Sequence, residues 1–561
     1  MDAIVFGATG FIGRSLVAEL LRRGQHVAAA VRNDTLTPWL ASRGVDTGSL
    51  TVVRADITRP LTALPEVSDV YNTAGRYAFG LDKAEARAVN VAGALNVLEW
   101  AASLPGLRRL VHVSGYRVSA SDGIPDYAGS GAYEASKLEA DLAIRARARE
   151  SGIPLSIANP GVVIGPGQFI GLATLVRDLW DGRLPALPGG PDTFVPVVAL
   201  DHLVRFLAEI PASPAGEHHW ILDDTTPPLP ELVRTIAHHA GVPAPRRSIP
   251  VRLLRRLPSR LTGADPETLS FLSTDRYPTT SARTFAARVG LAMPPVGDAL
   301  RAWTDDLVAT RFGTATPWAS PYGFRTVAGS ATWVVGERRH PAHVLLHGLP
   351  LNADVWAPVA AHLTEPFLAA DLPGLGRSAG THSVDAWLTD LLRPVRTRPV
   401  LVAHSSACDP ALRFAAAHPE RLGALVLVSP AFLQRPAART TRSGAAVPML
   451  RRMSPARLAE ALGVPKSPAV TGAAADLRRP GAAGRVVRAL RTTVAEREHS
   501  RALLARVRVP VRILVGSADP LVVPVDRPVT EIAGAGHYPQ LITPAEVAHH
   551  LTIATTPRAE A

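Results

Sequence analysis

Ala3-Ile4-Val5-Phe6-Gly7-Ala8-Thr9-Gly10-Phe11-Ile12-Gly13 is an apolar strand that runs through three glycines towards the helical stretch Ser15–Arg23. Glycines at this spacing let the backbone turn tightly and come close to a pyrophosphate held at the helix N-terminus. The context required for that reading is present, with a strand before the turn and a helix after it. His26–Val31 and Leu50–Arg54 follow as further short apolar strands with helical residues between them. This alternation predicts βαβ units and a parallel sheet.

The chain has 561 residues, more than one domain of ordinary size. Its 47% hydrophobic and 19% charged content is that of a folded protein rather than a disordered one. No uncharged apolar run is long enough to span a membrane, and the start lacks the basic stretch and apolar core of a secretory signal. A cytoplasmic protein is expected. The single cysteine, Cys408, excludes an intrachain disulfide and a cysteine zinc site. The histidine pairs His218-His219, His238-His239 and His549-His550 lack metal-ligand spacing, so no metal is expected. The net charge is +12 with a pI near 10.5, supplied almost wholly by arginine. The arginines read as scattered solvated surface without a basic tail, so neither nucleic acid nor membrane is expected as a partner.

Two residue groups in the first half point to redox chemistry. Tyr133-Glu134-Ala135-Ser136-Lys137 places a phenol and an ammonium one helical turn apart. A nearby cation favours the phenolate, which predicts a tyrosine able to exchange a proton with a substrate oxygen near neutral pH. Lys137 is one of only three lysines, with Lys83 and Lys466, in a chain that otherwise chooses arginine. At the end of the second strand stands Arg32, where an acid would hold a free ribose 2′-hydroxyl. A guanidinium suits a 2′-phosphate, so NADP(H) is expected over NAD, while Asp34 two residues on keeps NAD open.

With these motifs, residues 1–312 resemble an extended short-chain dehydrogenase/reductase of the dihydroflavonol reductase and 3β-hydroxysteroid dehydrogenase branch. Further matches are Ala55-Asp56-Ile57, Asn72-Thr73-Ala74-Gly75, Asn90-Val91-Ala92-Gly93, Asn159–Gly167 and Val197–Leu203. The resemblance implies a Rossmann-type doubly wound sheet. It also implies a cofactor held by Gly7, Thr9, Gly10, Phe11, Ile12, Gly13, Arg32, Asp56, Ile57, Ala74, Gly75, Tyr133, Lys137, Pro160, Gly161, Val162 and Val163. Tyr133 would be the acid/base, Lys137 its activator and ribose ligand, and Ser114 the group that polarises the substrate oxygen. Many relatives have two adjacent hydroxyl residues there, whereas this chain has Ser114-Gly115.

Gly313–Tyr322 carries two prolines and no periodicity, and reads as a linker. A second α/β pattern follows from residue 323 to 561, interrupted by a Pro- and Arg-rich insert of short helices over about 434–505. The last residues, from Thr555, are expected to fray. Val400-Leu401-Val402-Ala403-His404-Ser405-Ser406-Ala407 is an apolar strand that ends in a serine flanked by small residues, with a helix after it. A sharp strand-to-helix turn exposes such a hydroxyl. Ala403 and Ala407 replace the usual glycines, at an expected cost of about 1 kcal/mol in a strained turn. His347-Gly348-Leu349 follows an earlier strand, Asp519 ends a later one, and His537 comes last. Residues 323–561 therefore resemble a serine α/β-hydrolase, whose triad runs Ser…Asp…His. Ser405, Asp519 and His537 are the implied triad, and the Leu349 and Ser406 N–H groups the implied oxyanion hole. Cys408 reads as packing, and the insert as a cap.

The whole reads as a bifunctional enzyme on small-molecule substrates. An NADP(H)-dependent carbonyl reductase or alcohol dehydrogenase is fused to an ester, lactone or thioester hydrolase, acting on consecutive steps of a secondary metabolite. A homodimer is allowed. Two alternatives stay open: a reductase with a non-catalytic hydrolase-fold module, and an NAD-dependent epimerase or dehydratase in the first half.

Overall fold

The computed structural model describes every residue except 78–80, 119–122, 128, 130, 255, 257–268, 270–271, 381–382 and 556–561. The end expected to fray thus lies outside the described residues beyond Thr555. The chain divides into two compact units. One comprises Met1–Ala173, Pro185–Thr235 and Pro245–Trp303; the other comprises Thr174–Leu184, Ile236–Ala244 and Thr304–Ala561. The division falls within the helix Val296–Ala309 and not at the expected boundary near 312. The reason is local: Asp305 accepts a hydrogen bond from Phe324 N (3.0 Å), which ties this helix end to the second unit's first strand. No described helix is long and apolar enough to cross a membrane.

In the first unit the strands are β1 (Ala3–Phe6), β2 (Val27–Val31), β3 (Leu50–Arg54), β4 (Asp69–Asn72), β5 (Arg109–Val113), β6 (Leu155–Pro160), β7 (Val162–Ile164), β8 (Leu187–Pro188), β9 (Val197–Ala199), β10 (His218–Ile221) and β11 (Ser248–Ile249). Seven of them form one parallel sheet in the order β3-β2-β1-β4-β5-β6-β10. β7 pairs with β9 and β8 with β11. β1, β2, β4, β5 and β6 are buried along their whole length, because helices cover both faces; hence the unbroken apolar runs of β1 and β2. This is the expected Rossmann-type sheet. Its strand order reverses between β1 and β4, so the turns after those two strands open side by side at one edge, where such sheets bind ligands.

The second unit holds β12 (Tyr322–Val327), β13 (Ser330–Gly336), β14 (His343–Leu346), β15 (Phe367–Ala370), β16 (Val400–His404), β17 (Ala424–Val428), β18 (Val511–Gly516) and β19 (Val529–Ile532). They form one sheet in the order β12-β13-β15-β14-β16-β17-β18-β19, antiparallel at β12, β13 and β15 and parallel beyond. Between β17 and β18 the insert forms five helices: Ala446–Arg452, Pro455–Leu462, Pro468–Asp476, Ala482–Ala495 and Arg497–Arg506. Helix Ala482–Ala495 packs against the turn Ser405–Ala407.

Candidate active sites

The glycine turn after β1 is built by close approach. Gly7 has φ +76°, and a Cβ there would lie 2.7 Å from the backbone of Ala74. A Cβ on Gly13 would meet Gly7 O at 2.1 Å, which presses the helix onto the strand. The helix begins at Phe11, earlier than its apolar period suggests, with Gly10 as N-cap and no side chain capping it. Its first N–H groups are therefore free of a side-chain partner, as an anion site requires. Thr9 and Gly10 are exposed at the turn, with Phe11 and Ile12 half-buried beside them. Gly75 continues the same surface, for a Cβ on it would lie 3.2 Å from Lys137 Nζ. Ile57 packs against Gly93, and Asn96 donates to its carbonyl (2.8 Å). Asp56 is turned inward on its own loop, accepting from Thr58 N and Oγ1.

Arg32 is exposed directly after β2. Asp34 is committed elsewhere: its carboxylate accepts from Leu36 N, Thr37 N and Thr37 Oγ1, which caps the helix Leu36–Ala41. Pro160 ends β6, and Gly161 donates to Ile221 O (3.0 Å) with no room for a Cβ beside Pro196 O. Val162 and Val163 follow in β7, and Val162 packs against the buried cluster Tyr116, Trp220 and Leu222.

Tyr133 and Lys137 lie on the helix Ala132–Ser151, as their spacing predicts. The phenol ring stands edge-on to Tyr77, with centroids 4.7 Å apart. Lys137 is 8% exposed and donates to Val113 O (3.2 Å). Its immediate partner is thus a backbone carbonyl, and burial decides both titrations. The Tyr133 phenol is pushed up, by burial first and then by Tyr77 and Glu134. Burial pushes the Lys137 amine down to about 8, against the attraction of Asp141. The expected lowering of the phenol is not found in the protein alone. Asn90 braces the region, accepting from Arg76 N (2.8 Å) and donating to Ser136 Oγ (2.9 Å).

Ser114 follows β5 as expected, and its hydroxyl is buried. It lies beside the carboxyl of Asp141, one helical turn beyond Lys137. A side chain at Gly115 would instead enter open space, with nothing within 4 Å of its Cβ.

In the second unit the three triad residues come together. Ser405 takes φ +55° between β16 and the helix Cys408–Ala417. Its Oγ lies 2.8 Å from His537 Nε2, and His537 Nδ1 lies 2.6 Å from Asp519 Oδ2. This arrangement puts the imidazole proton on Nδ1 and leaves Nε2 to accept from the serine. The strain belongs to the serine. Ala407 has φ −72° and Ala403 no positive φ, so the alanines carry no glycine-like conformation and the expected cost does not arise. Both are fully buried, which explains their small size. A Cβ on Gly348 would lie 2.7 Å from Ser405 Cβ, so the Gly348-Leu349 loop lies against the nucleophile. Tyr538 Oη pins that loop through Leu349 O (2.7 Å). Ser406 lies inside the helical turn Ser405–Ala407, its hydroxyl buried without a partner. Cys408 is buried against Ala403 O, its thiol pushed well up by burial.

Sequence reasoning missed Gln434. Its Nε2 donates to Asp519 Oδ2 (2.6 Å) and to Asp519 O (2.7 Å), and Arg497 in turn holds Gln434 O. No motif marks it; only the fold brings the loop after β17 to the end of β18.

The comparisons with known proteins agree with this architecture. The model of the NAD dependent epimerase/dehydratase family matches residues 3–178, and that of the alpha/beta hydrolase family matches 344–550. The chain therefore joins an NAD-dependent epimerase/reductase-type domain to an α/β-hydrolase domain. The first half is similar to sterol demethylase protein B of Methylococcus capsulatus, 29% identical over 274 residues, 46% of this chain and 79% of that one. It is also similar to the 2-alkyl-3-oxoalkanoate reductase of Stenotrophomonas maltophilia, 28% identical over 279 residues, 46% and 81% of the two chains. A stretch of 112 residues is 39% identical to the pimeloyl-[acyl-carrier protein] methyl ester esterase of Citrobacter koseri, covering 19% of this chain and 44% of the esterase.

Proposed function

We propose that the chain is a bifunctional enzyme, an NADP(H)-dependent carbonyl reductase or alcohol dehydrogenase fused to a serine hydrolase. The observation that carries the reading is the hydrogen-bonded Ser405–His537–Asp519 chain, in a protein whose other unit sets Gly75, next to the glycine turn, beside Lys137. The residues fit a dinucleotide: the Gly7 cradle has no space for a side chain, and the first helix is uncapped. When bound, the nicotinamide supplies or accepts hydride. Gly7, Gly10, Gly13, Ala74 and Gly75 give it a close-fitting backbone, and Lys137 meets its ribose. Exposed Arg32, with Asp34 tied up in a helix cap, supports the 2′-phosphorylated form and weighs against an NAD-recycling epimerase. Tyr133 Oη holds the proton exchanged with the substrate oxygen. Its raised pKa keeps that proton in place near neutral pH, which suits an acid in the reductive direction. The relative named as a 2-alkyl-3-oxoalkanoate reductase supports this direction.

In the hydrolase, Ser405 Oγ bonds to the acyl carbon as its proton passes to His537 Nε2. The Leu349 and Ser406 N–H groups receive the oxyanion. His537 then hands the proton to the leaving oxygen or sulfur, and water repeats the cycle on the acyl-serine, releasing acid and free serine. Joining the two reactions raises the concentration of one site's product at the other. One experiment separates the halves. Tyr133→Phe should abolish NADPH-dependent turnover and leave fluorophosphonate labelling of Ser405 intact, and Ser405→Ala should do the reverse. An unlabelled Ser405 in folded protein would make the second half a non-catalytic module.

A further inference from the structure

The charge of the chain is not evenly spread. Residues 434–505 contain 14 Arg or Lys and 4 Asp or Glu, so +10 of the net +12 lies in 72 residues. Elsewhere 46 basic residues face 44 acidic ones. The choice of Arg over Lys runs through the whole chain, whereas the shortage of acids is confined to this stretch. Three of the four acids are already engaged, Asp476 with Arg311, Glu496 with Arg413 and Glu498 with Arg501. Arg435, Arg439, Arg451, Arg452, Arg457 and Arg488 are exposed and make no ion pair with a described residue.

The placement is specific. Arg451 and Arg452 end the helix Ala446–Arg452, which packs on Ala482–Ala495, the helix that carries Arg488 and lies on the Ser405 turn. We infer that this face of the insert docks an acidic protein, which presents an acyl group to Ser405. The inference rests on the hydrolase reading for its purpose and on the charge map for its partner. Unpaired guanidinium groups match carboxylates two bonds at a time. The insert contains no Phe, Trp or Tyr, so it lacks the stacking groups of a single-strand binder and the aromatic anchors of an interfacial helix. Met449, 53% exposed beside Arg451 and Arg452, gives the face one apolar contact.

The test uses the full chain and a bacterial acyl carrier protein bearing an octanoyl thioester, with octanoyl-N-acetylcysteamine as the carrier-free control. Ser405→Ala protein should bind the loaded carrier, and binding should weaken at least about tenfold as ionic strength rises from about 0.01 to about 1 M. The triple variant Arg451→Gln, Arg452→Gln, Arg488→Gln should weaken binding by a similar factor. In the Ser405 background the same triple should keep turnover of the carrier-free thioester within about twofold, because none of the three touches the triad. Carrier binding that ignores salt and the triple change would overturn the proposal. So would duplex DNA or phosphatidylglycerol vesicles binding through these arginines while the carrier does not. Salt-dependent carrier binding without turnover of either thioester would refute the hydrolase reading and uphold the docking face.

Discussion

Lys137→Met should stabilise the cofactor-free reductase unit while abolishing its chemistry. The amine is buried, and its pKa stands at about 8 against an ordinary 10.5. The fold therefore disfavours the charged form, and below pH 8 the charged lysine carries the full penalty. That difference corresponds to about 3 kcal/mol. As pH rises from 8 to 10.5 the unfolded chain holds more protons than the folded one, so stability climbs and the penalty fades. Methionine removes the charge at similar length but leaves Val113 O without its donor, which costs about 1 kcal/mol. The net expectation is a gain of about 2 kcal/mol at pH 7, shrinking towards pH 10. Hydrogen exchange in β5 and the helix Ala132–Ser151 during urea titration reads this unit apart from the other. A variant less stable than the parent at pH 7, or a difference that ignores pH, would refute the reasoning.

Three further outcomes follow from particular contacts. Arg32→Ala should remove a preference of at least about tenfold for NADPH over NADH, roughly 1–3 kcal/mol for a charge-assisted contact; equal affinities in the parent protein would sink the assignment. Gln434→Leu should lower kcat on a small ester about tenfold at unchanged KM, because Asp519 loses the donor that fixes its orientation, and an unchanged kcat would make the contact merely structural. Ala407→Gly should destabilise by about 0.5–1 kcal/mol, measured by denaturation, since this position is helical and not strained; a gain would return the strain to the alanine.

What could be read from the sequence was what depends on spacing or chain order. Gly10 and Gly13 are fixed by the Gly7 carbonyl a few residues before them, and Tyr133 and Lys137 by one turn of helix. Ser405, Asp519 and His537 follow the order in which one sheet brings its strand ends together. What could not be read depends on direction or on distant partners. Gln434 meets Asp519 only because β17 and β18 are neighbours, and Asp34 loses its freedom to the amides of the helix that follows it. Ser114 shows the sharpest limit. Successive residues at a strand end face opposite sides, so one position decides whether a hydroxyl enters the cleft or the core. Here the serine is buried by Asp141, while a side chain at Gly115 would meet open space.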